Sequence, residues 1–225
     1  MRFQDAARDA RAVVYAGIQA DPLVARAATL LAEATTAERL LARAAMNGER
    51  TDPDVWRRMF PTLFGEGAGE ELRRHSELVL AASLEVANRG EASRSQFRGA
   101  IVEELTARLL AARATPAAPI RRERRVLFDG VRAEIHPYDV TVESGTRPEV
   151  YDCKWGARGI NAEVLNQLDD AQVHAADEDV DLAVAIVVMD ARRSCELRLD
   201  RSTANHANTR LVALESLDEL RETKP

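Results

Sequence analysis

Across roughly the first ninety positions, apolar residues recur at helical spacing and never alternate in the manner of a strand. Val13, Val14, Ile18 and Leu23 set this rhythm, and an alanine-rich version of it continues to about Arg89. The spacing predicts several short helices. Asp21-Pro22 and Thr51-Asp52-Pro53 read as helix starts, with the aspartate as cap and the proline in the first turn. Asn47-Gly48 and the glycines Gly65, Gly67 and Gly69 mark breaks between helices. Trp56, Met59, Phe60 and Phe64 are expected to form a core stripe here rather than a docking surface, and His75 to be a surface residue rather than a ligand.

After Arg89-Gly90 the pattern changes. Phe97, Ile101, Val102, Leu105 and Leu109 form the apolar stripe of one helix, with Glu103 and Glu104 in its middle; periodicity sets Glu104 beside the stripe and Glu103 further from it. Pro116 to Pro119 reads as a linker, and Asp129-Gly130 between two β-prone runs as a hairpin turn. Two strands follow. The first, around Tyr138 to Glu143, carries Asp139 at its start; the second, around Glu149 to Trp155, carries Asp152 and Lys154 two positions apart. Side chains alternate along a strand, so Asp152 and Lys154 project together while Tyr151, Cys153 and Trp155 point the other way. Beyond them, a helix with Val164, Leu165, Leu168 and Val173 inward precedes the continuous apolar run DLAVAIVVMD, which reads as a central strand covered on both faces. Thr209 to Leu214 reads as a last strand and Glu215 to Glu222 as a terminal helix. The chain is thus expected to pair an all-helical region, 1–90, with an α/β region, 91–225.

Composition narrows the class. With 225 residues, 46% hydrophobic, 30% charged and 4% aromatic, the chain has the makeup of a soluble globular protein with a sizeable core. It has no apolar run long enough to span a bilayer and its N-terminus has no signal-peptide core, so a cytoplasmic protein without a membrane partner is expected. Cys153 and Cys195 have neither metal-type nor disulfide-type spacing and are expected to be free thiols. A net charge of −6 argues against attraction of the whole surface to nucleic acid, although Arg121, Arg122, Arg124 and Arg125 form a local basic run able to contact phosphates. Taken alone, such a run is more often a solvated edge. Of the 31 basic residues only Lys154 and Lys224 are lysines, and Lys224 lies in the polar tail. An ammonium is a compact charge that can position a water or shift its pKa, whereas a guanidinium is a fixed planar fork. Lys154 is therefore the position that wants an amine.

The order of these elements, with a glutamate in the first helix, Asp139 opening a strand and Asp152-Cys153-Lys154 in the next, resembles the PD-(D/E)XK nuclease superfamily. GAIVEELTARLL, YDVTV and VYDCKW look most like methyl-directed restriction endonucleases and Holliday-junction resolvases. The resemblance covers roughly residues 94–190. It implies a restriction-endonuclease-like core, a mixed β-sheet flanked by helices, and leaves the helical region 1–90 as a regulatory or interaction module.

Carried over, the resemblance makes Asp139 and Asp152 metal ligands, adds the Cys153 carbonyl, and makes Lys154 the catalytic lysine. The family's helix glutamate, which would bind a second metal or a metal-bound water, follows a glycine by four positions, which falls on Glu103 from Gly99, against the periodicity; Glu103 is taken and Glu104 kept as the alternative. Gln167 matches a glutamine on the later helix. Pro137 is displaced from its usual place immediately before the first aspartate. The implied activity is Mg²⁺-dependent hydrolysis of phosphodiesters, with Mn²⁺ as substitute, in DNA as the expected nucleic acid and in restriction or phage defence. Two carboxylates with a carbonyl and a phosphate satisfy Mg²⁺, and nearby positive charge is expected to lower the Lys154 pKa. A homodimer, or a protein partner on the helical region, would fit. The alternatives are an idle relative that binds nucleic acid or protein, and a helical adaptor that recruits a defence or repair complex.

Overall fold

The protein, seen in a computed structural model that describes residues 1–6, 10–49, 51–132 and 136–222, divides into two compact units. One comprises Met1–Arg8 with Leu109–Pro225, the other Asp9–Arg108. The division expected at 90/91 therefore falls later, and the chain start joins the sheet. Residues 133–135, within the strand run expected after Asp129-Gly130, and Lys224 lie outside the described residues.

In the helical unit, α1 (Ala10–Gln19), α2 (Pro22–Glu33), α3 (Thr36–Asn47), α4 (Pro53–Met59), α5 (Pro61–Phe64) and α6 (Glu70–Ala87) follow one another, and α7 (Glu91–Ala111) begins there. The expected caps form: Asp21 accepts from the Leu23 N–H and Asp52 from the Asp54 N–H, with Pro22 and Pro53 in the first turns. Leu41, Ala45, Trp56, Leu63, Leu80 and Leu84 make the core, and Phe60 and Phe64 pack against it. Met59 departs from the expected stripe at 57% exposure. It is the last residue of α4, and the chain turns there into α5, whose Leu63 and Phe64 cover the core instead. His75 is no isolated surface group either, because its Nδ1 lies 2.7 Å from Oε1 of the buried Glu38.

The sheet unit is α/β, with a mixed sheet flanked by helices. Its strands are β1 (Arg2–Asp5), β2 (Ile120–Phe128), β3 (Val131–Arg132), β4 (Tyr138–Val142), β5 (Glu149–Lys154), β6 (Ala183–Val188) and β7 (Arg210–Ala213). They run in the order β1-β2-β4-β5-β6-β7, with β3 beside β2. The pairs from β1 to β5 are antiparallel; β5/β6 and β6/β7 are parallel. β1 corrects the reading of the first ninety residues as purely helical: its register, Arg2↔Leu127 to Asp5↔Arg124, joins segments far apart in the chain, which no local periodicity reports. Asp129 and Gly130 make the expected hairpin, with φ of 48° and 78°, the left-handed pair that a two-residue turn needs.

Two helices, α8 (Ala162–Asp177) and α9 (Arg192–Leu199), connect the parallel strands. Leu165, Leu168, Ala171 and Ala175 of α8 share one core with Val150 of β5 and Val184, Ile186 and Val188 of β6. Val173, expected inward, is 53% exposed: the buried positions step by three and four residues, and Val173 falls off that face. The expected terminal helix is present as a 3-10 helix, Leu214–Arg221. No described helix is long and apolar enough to cross a membrane.

Candidate active site

Asp152 and Lys154 are placed by the β5/β6 pairing. Val150, Asp152 and Lys154 register with Val184, Ile186 and Val188, the apolar row that α8 covers; Val150 packs in that core, and Asp152 and Lys154 follow it at the carboxyl end of β5. That is where open α/β sheets bind ligands. The Asp152 carboxylate, 11% exposed, pairs through Oδ1 with the Lys154 ammonium, 26% exposed. The shared face read from alternation is therefore present.

Asp139 approaches from β4. Val140 pairs with Tyr151, which sets Asp139 level with Asp152, and the Asp139 Oδ2 accepts a hydrogen bond of 2.5 Å from the Cys153 N–H. Its carboxylate is thereby fastened to the peptide between Asp152 and Lys154. Burial alone would lower the Lys154 pKa, but the charges of Asp152 and then Asp139 outweigh it and hold the ammonium above its ordinary value. The expectation of nearby positive charge lowering that pKa is overturned, because the neighbours that matter are carboxylates. Cys153 and Cys195 are buried and form no disulfide, as their spacing suggested.

Glu123 escaped the sequence reading. It sits inside the arginine run of β2, whose register steps from Arg122↔Val140 to Arg124↔Tyr138 and leaves Glu123 level with Asp139. Carboxylate oxygens of Glu123 and Asp139 lie within 4.8 Å of each other. Glu123 has a φ of 53°, a left-handed conformation uncommon for glutamate. The signal was a lone acid among arginines, legible only once β2 and β4 are paired. Arg124 of the same run is not a free phosphate contact: its Nε donates to Glu143 at 2.6 Å and its guanidinium pairs with Asp5.

Gln167 is buried, and both ends of its amide are engaged by one residue. Oε1 accepts from the His136 N–H at 3.2 Å, and Nε2 donates to the His136 carbonyl at 3.0 Å. The structure makes Gln167 an anchor for the segment leading into Asp139. His136 is a second residue the sequence reading passed over, an exposed imidazole whose Nε2 lies 3.3 Å from Glu163 Oε1.

On α7, Glu103 is buried and Glu104 is not. Glu103 accepts from the Tyr15 hydroxyl at 2.5 Å and from the Gln19 amide at 2.7 Å, all within the helical unit, whereas Glu104 pairs with Arg108 one turn on. Periodicity, which favoured Glu104, is corrected: apolar residues on both sides of Glu103 widen the buried face to include it.

At the opposite end of β4 and β5 lies a cavity of about 460 Å³. Its three arginines are already matched to acids, Arg113 with Glu149, Arg147 with Asp181 and Arg210 with Glu219.

No protein-family model matches the sequence, and no curated protein matches it. Among solved structures, protein VC1899 from Vibrio cholerae is similar at 15% identity and a TM-score of 0.48, over 89% of this chain and 55% of that one. The chain thus spans about half the length of that protein.

Proposed function

We propose that the sheet unit is a restriction-endonuclease-like domain that hydrolyses phosphodiester bonds in duplex DNA with Mg²⁺, in restriction or phage defence, and that the helical unit serves target choice or assembly. The observation that carries this reading is the Asp139 carboxylate bound to the Cys153 N–H, between Asp152 and the body's one lysine. The donor set suits a hard cation, since the β4/β5 register sets the carboxylates of Asp139 and Asp152 opposite each other and a Glu123 carboxylate oxygen lies within 4.8 Å of one from Asp139. Asp139, Asp152 and the Cys153 carbonyl would hold the ion. Bound Mg²⁺ would supply an activated water at neutral pH and neutralise charge on the phosphoryl oxygens.

The chain's own residues divide the remaining work. Lys154 keeps its proton on Nζ, so it serves as a fixed cation that orients a water or a phosphate oxygen, and neighbouring carboxylates hold it in that state. Gln167 steadies the backbone at His136 and hence the approach to Asp139. Incubation of the protein with plasmid and single-stranded DNA and Mg²⁺ or Mn²⁺, beside Lys154→Ala, tests the reading. Metal-dependent cleavage lost in the variant supports it. DNA binding without cleavage by either protein replaces it with an idle nuclease-like binding domain.

A further inference from the structure

The loop between β5 and α8 folds back onto Lys154. It holds a single 3-10 turn, Ala157–Gly159, closed by the Gly159 N–H donating to the Gly156 carbonyl at 2.9 Å. At Gly159 the backbone is outside the left-handed region, so conformation does not demand a glycine there. Space does. A β-carbon built on Gly159 would stand 2.9 Å from Lys154 Cδ and 3.0 Å from both its Cβ and Cγ. Those are the root and middle of the lysine stem, not its mobile end, so rotating the ammonium away cannot relieve the contact.

Nor can the loop retreat freely. The Asp190 carboxylate at the end of β6 accepts from the Ala157 N–H at 3.0 Å, and Arg198 of α9 donates from Nε to the Ile160 carbonyl at 2.9 Å. Pinned at both ends, the turn forms a wall along which the stem lies, while Asp152 holds the ammonium. We propose that Gly159 is a positioning residue for Lys154: the missing side chain lets the turn close on the lysine stem and fixes where Nζ stands. The proposal rests on reading Lys154 as the catalytic lysine, but its geometric content can be measured without any activity.

Because the chain has only two lysines, protein labelled with [13Cε]lysine gives two side-chain resonances, and Lys154→Arg assigns them. Gly159→Ala is expected to shift the Lys154 resonance and leave that of Lys224 in place. Gly156→Ala is the control, since a β-carbon there meets only Asp190 at an ordinary 3.5 Å, and it should leave both resonances unmoved. If Gly159→Ala does not fold, Arg198→Ala, which unpins one end of the loop, is expected to move the same resonance. Where wild type cleaves DNA, Gly159→Ala should lower kcat at least tenfold with KM unchanged. A Lys154 resonance unmoved by Gly159→Ala, or by Arg198→Ala in its stead, overturns the proposal. A shifted resonance in a protein that never cleaves DNA keeps the positioning role and removes the nuclease reading instead.

Discussion

The Asp139 carboxylate of β4 accepts a 2.5 Å hydrogen bond from the Cys153 N–H of β5, the peptide that separates Asp152 from Lys154. One strand's acid is thus positioned by the next strand's backbone, and substitutions at Asp139 can separate charge from hydrogen bonding. Asp139→Asn keeps an acceptor for Cys153 and loses the charge. It is expected to stay within about 1 kcal/mol of wild-type stability. DNA cleavage, and the Mg²⁺ affinity read from the metal dependence of the melting temperature, should each fall about 100-fold. Asp139→Ala also leaves the Cys153 N–H without this acceptor and should cost about 1–3 kcal/mol in urea unfolding. Equal stability losses in the two variants would contradict this division.

Lys154 neutralises a carboxylate that the fold has buried. Lys154→Met strands Asp152, and because the lysine keeps 26% of its side chain exposed, the expected cost is below that of a wholly buried pair. About 2 kcal/mol is the size to look for. Asp152→Asn combined with Lys154→Met should recover about half or more of it, since no unpaired charge then remains. Additive losses in denaturant titrations of the single and double variants would show that the pair is not coupled.

Acid should weaken the helical unit through Glu38. Burial opposes its charge, but hydrogen bonding with His75, then Thr35 and Ser76, outweighs burial and holds its pKa below the ordinary 4.5. The unfolded chain therefore takes up the proton first as pH falls. The stability this group contributes is complete above 4.5 and is lost as pH drops from there through the lower folded value. Urea midpoints between pH 6 and pH 3 should slope less for Glu38→Gln, which is also expected to cost about 1–3 kcal/mol at neutral pH. Parallel slopes would contradict the assignment.

Gln167 has two hydrogen bonds to His136 to lose. Gln167→Ala should raise amide hydrogen exchange at His136 by about tenfold, the equivalent of one hydrogen bond of ordinary net strength. Gln167→Glu preserves the acceptor and sets a carboxylate oxygen against the His136 carbonyl, so it should exchange at least as fast. Unchanged protection in both would remove the anchor.

These expectations divide into what a sequence carries and what only a fold supplies. The Asp152–Lys154 pair follows from strand alternation, the Asp129-Gly130 turn from local conformational preference, and the caps at Asp21 and Asp52 from their prolines. Each is a short-range effect. β1 and Glu123 were not legible because both depend on which strand lies beside which: Asp5 meets Arg124 across more than a hundred residues, and Glu123 reaches Asp139 only through the β2/β4 register. Periodicity alone misplaces Glu103 and Val173 for a related reason, since it gives the direction of a buried face but not its width; the choice of Glu103 comes from the glycine four positions before it. The choice of Gly159 was also hidden, as nothing local distinguishes a glycine needed for its φ from one needed for a neighbour's stem.

The proposed function requires Asp139 and Asp152 to hold one hydrated cation beside Lys154. Crystals soaked in Mn²⁺ test it through anomalous scattering. A peak is expected within about 2.3 Å of a carboxylate oxygen from each aspartate, lost in Asp139→Asn, with the Lys154 ammonium turned towards it. A site without anomalous density, or an ion bound by other residues while the Lys154 ammonium faces open solvent, would contradict it.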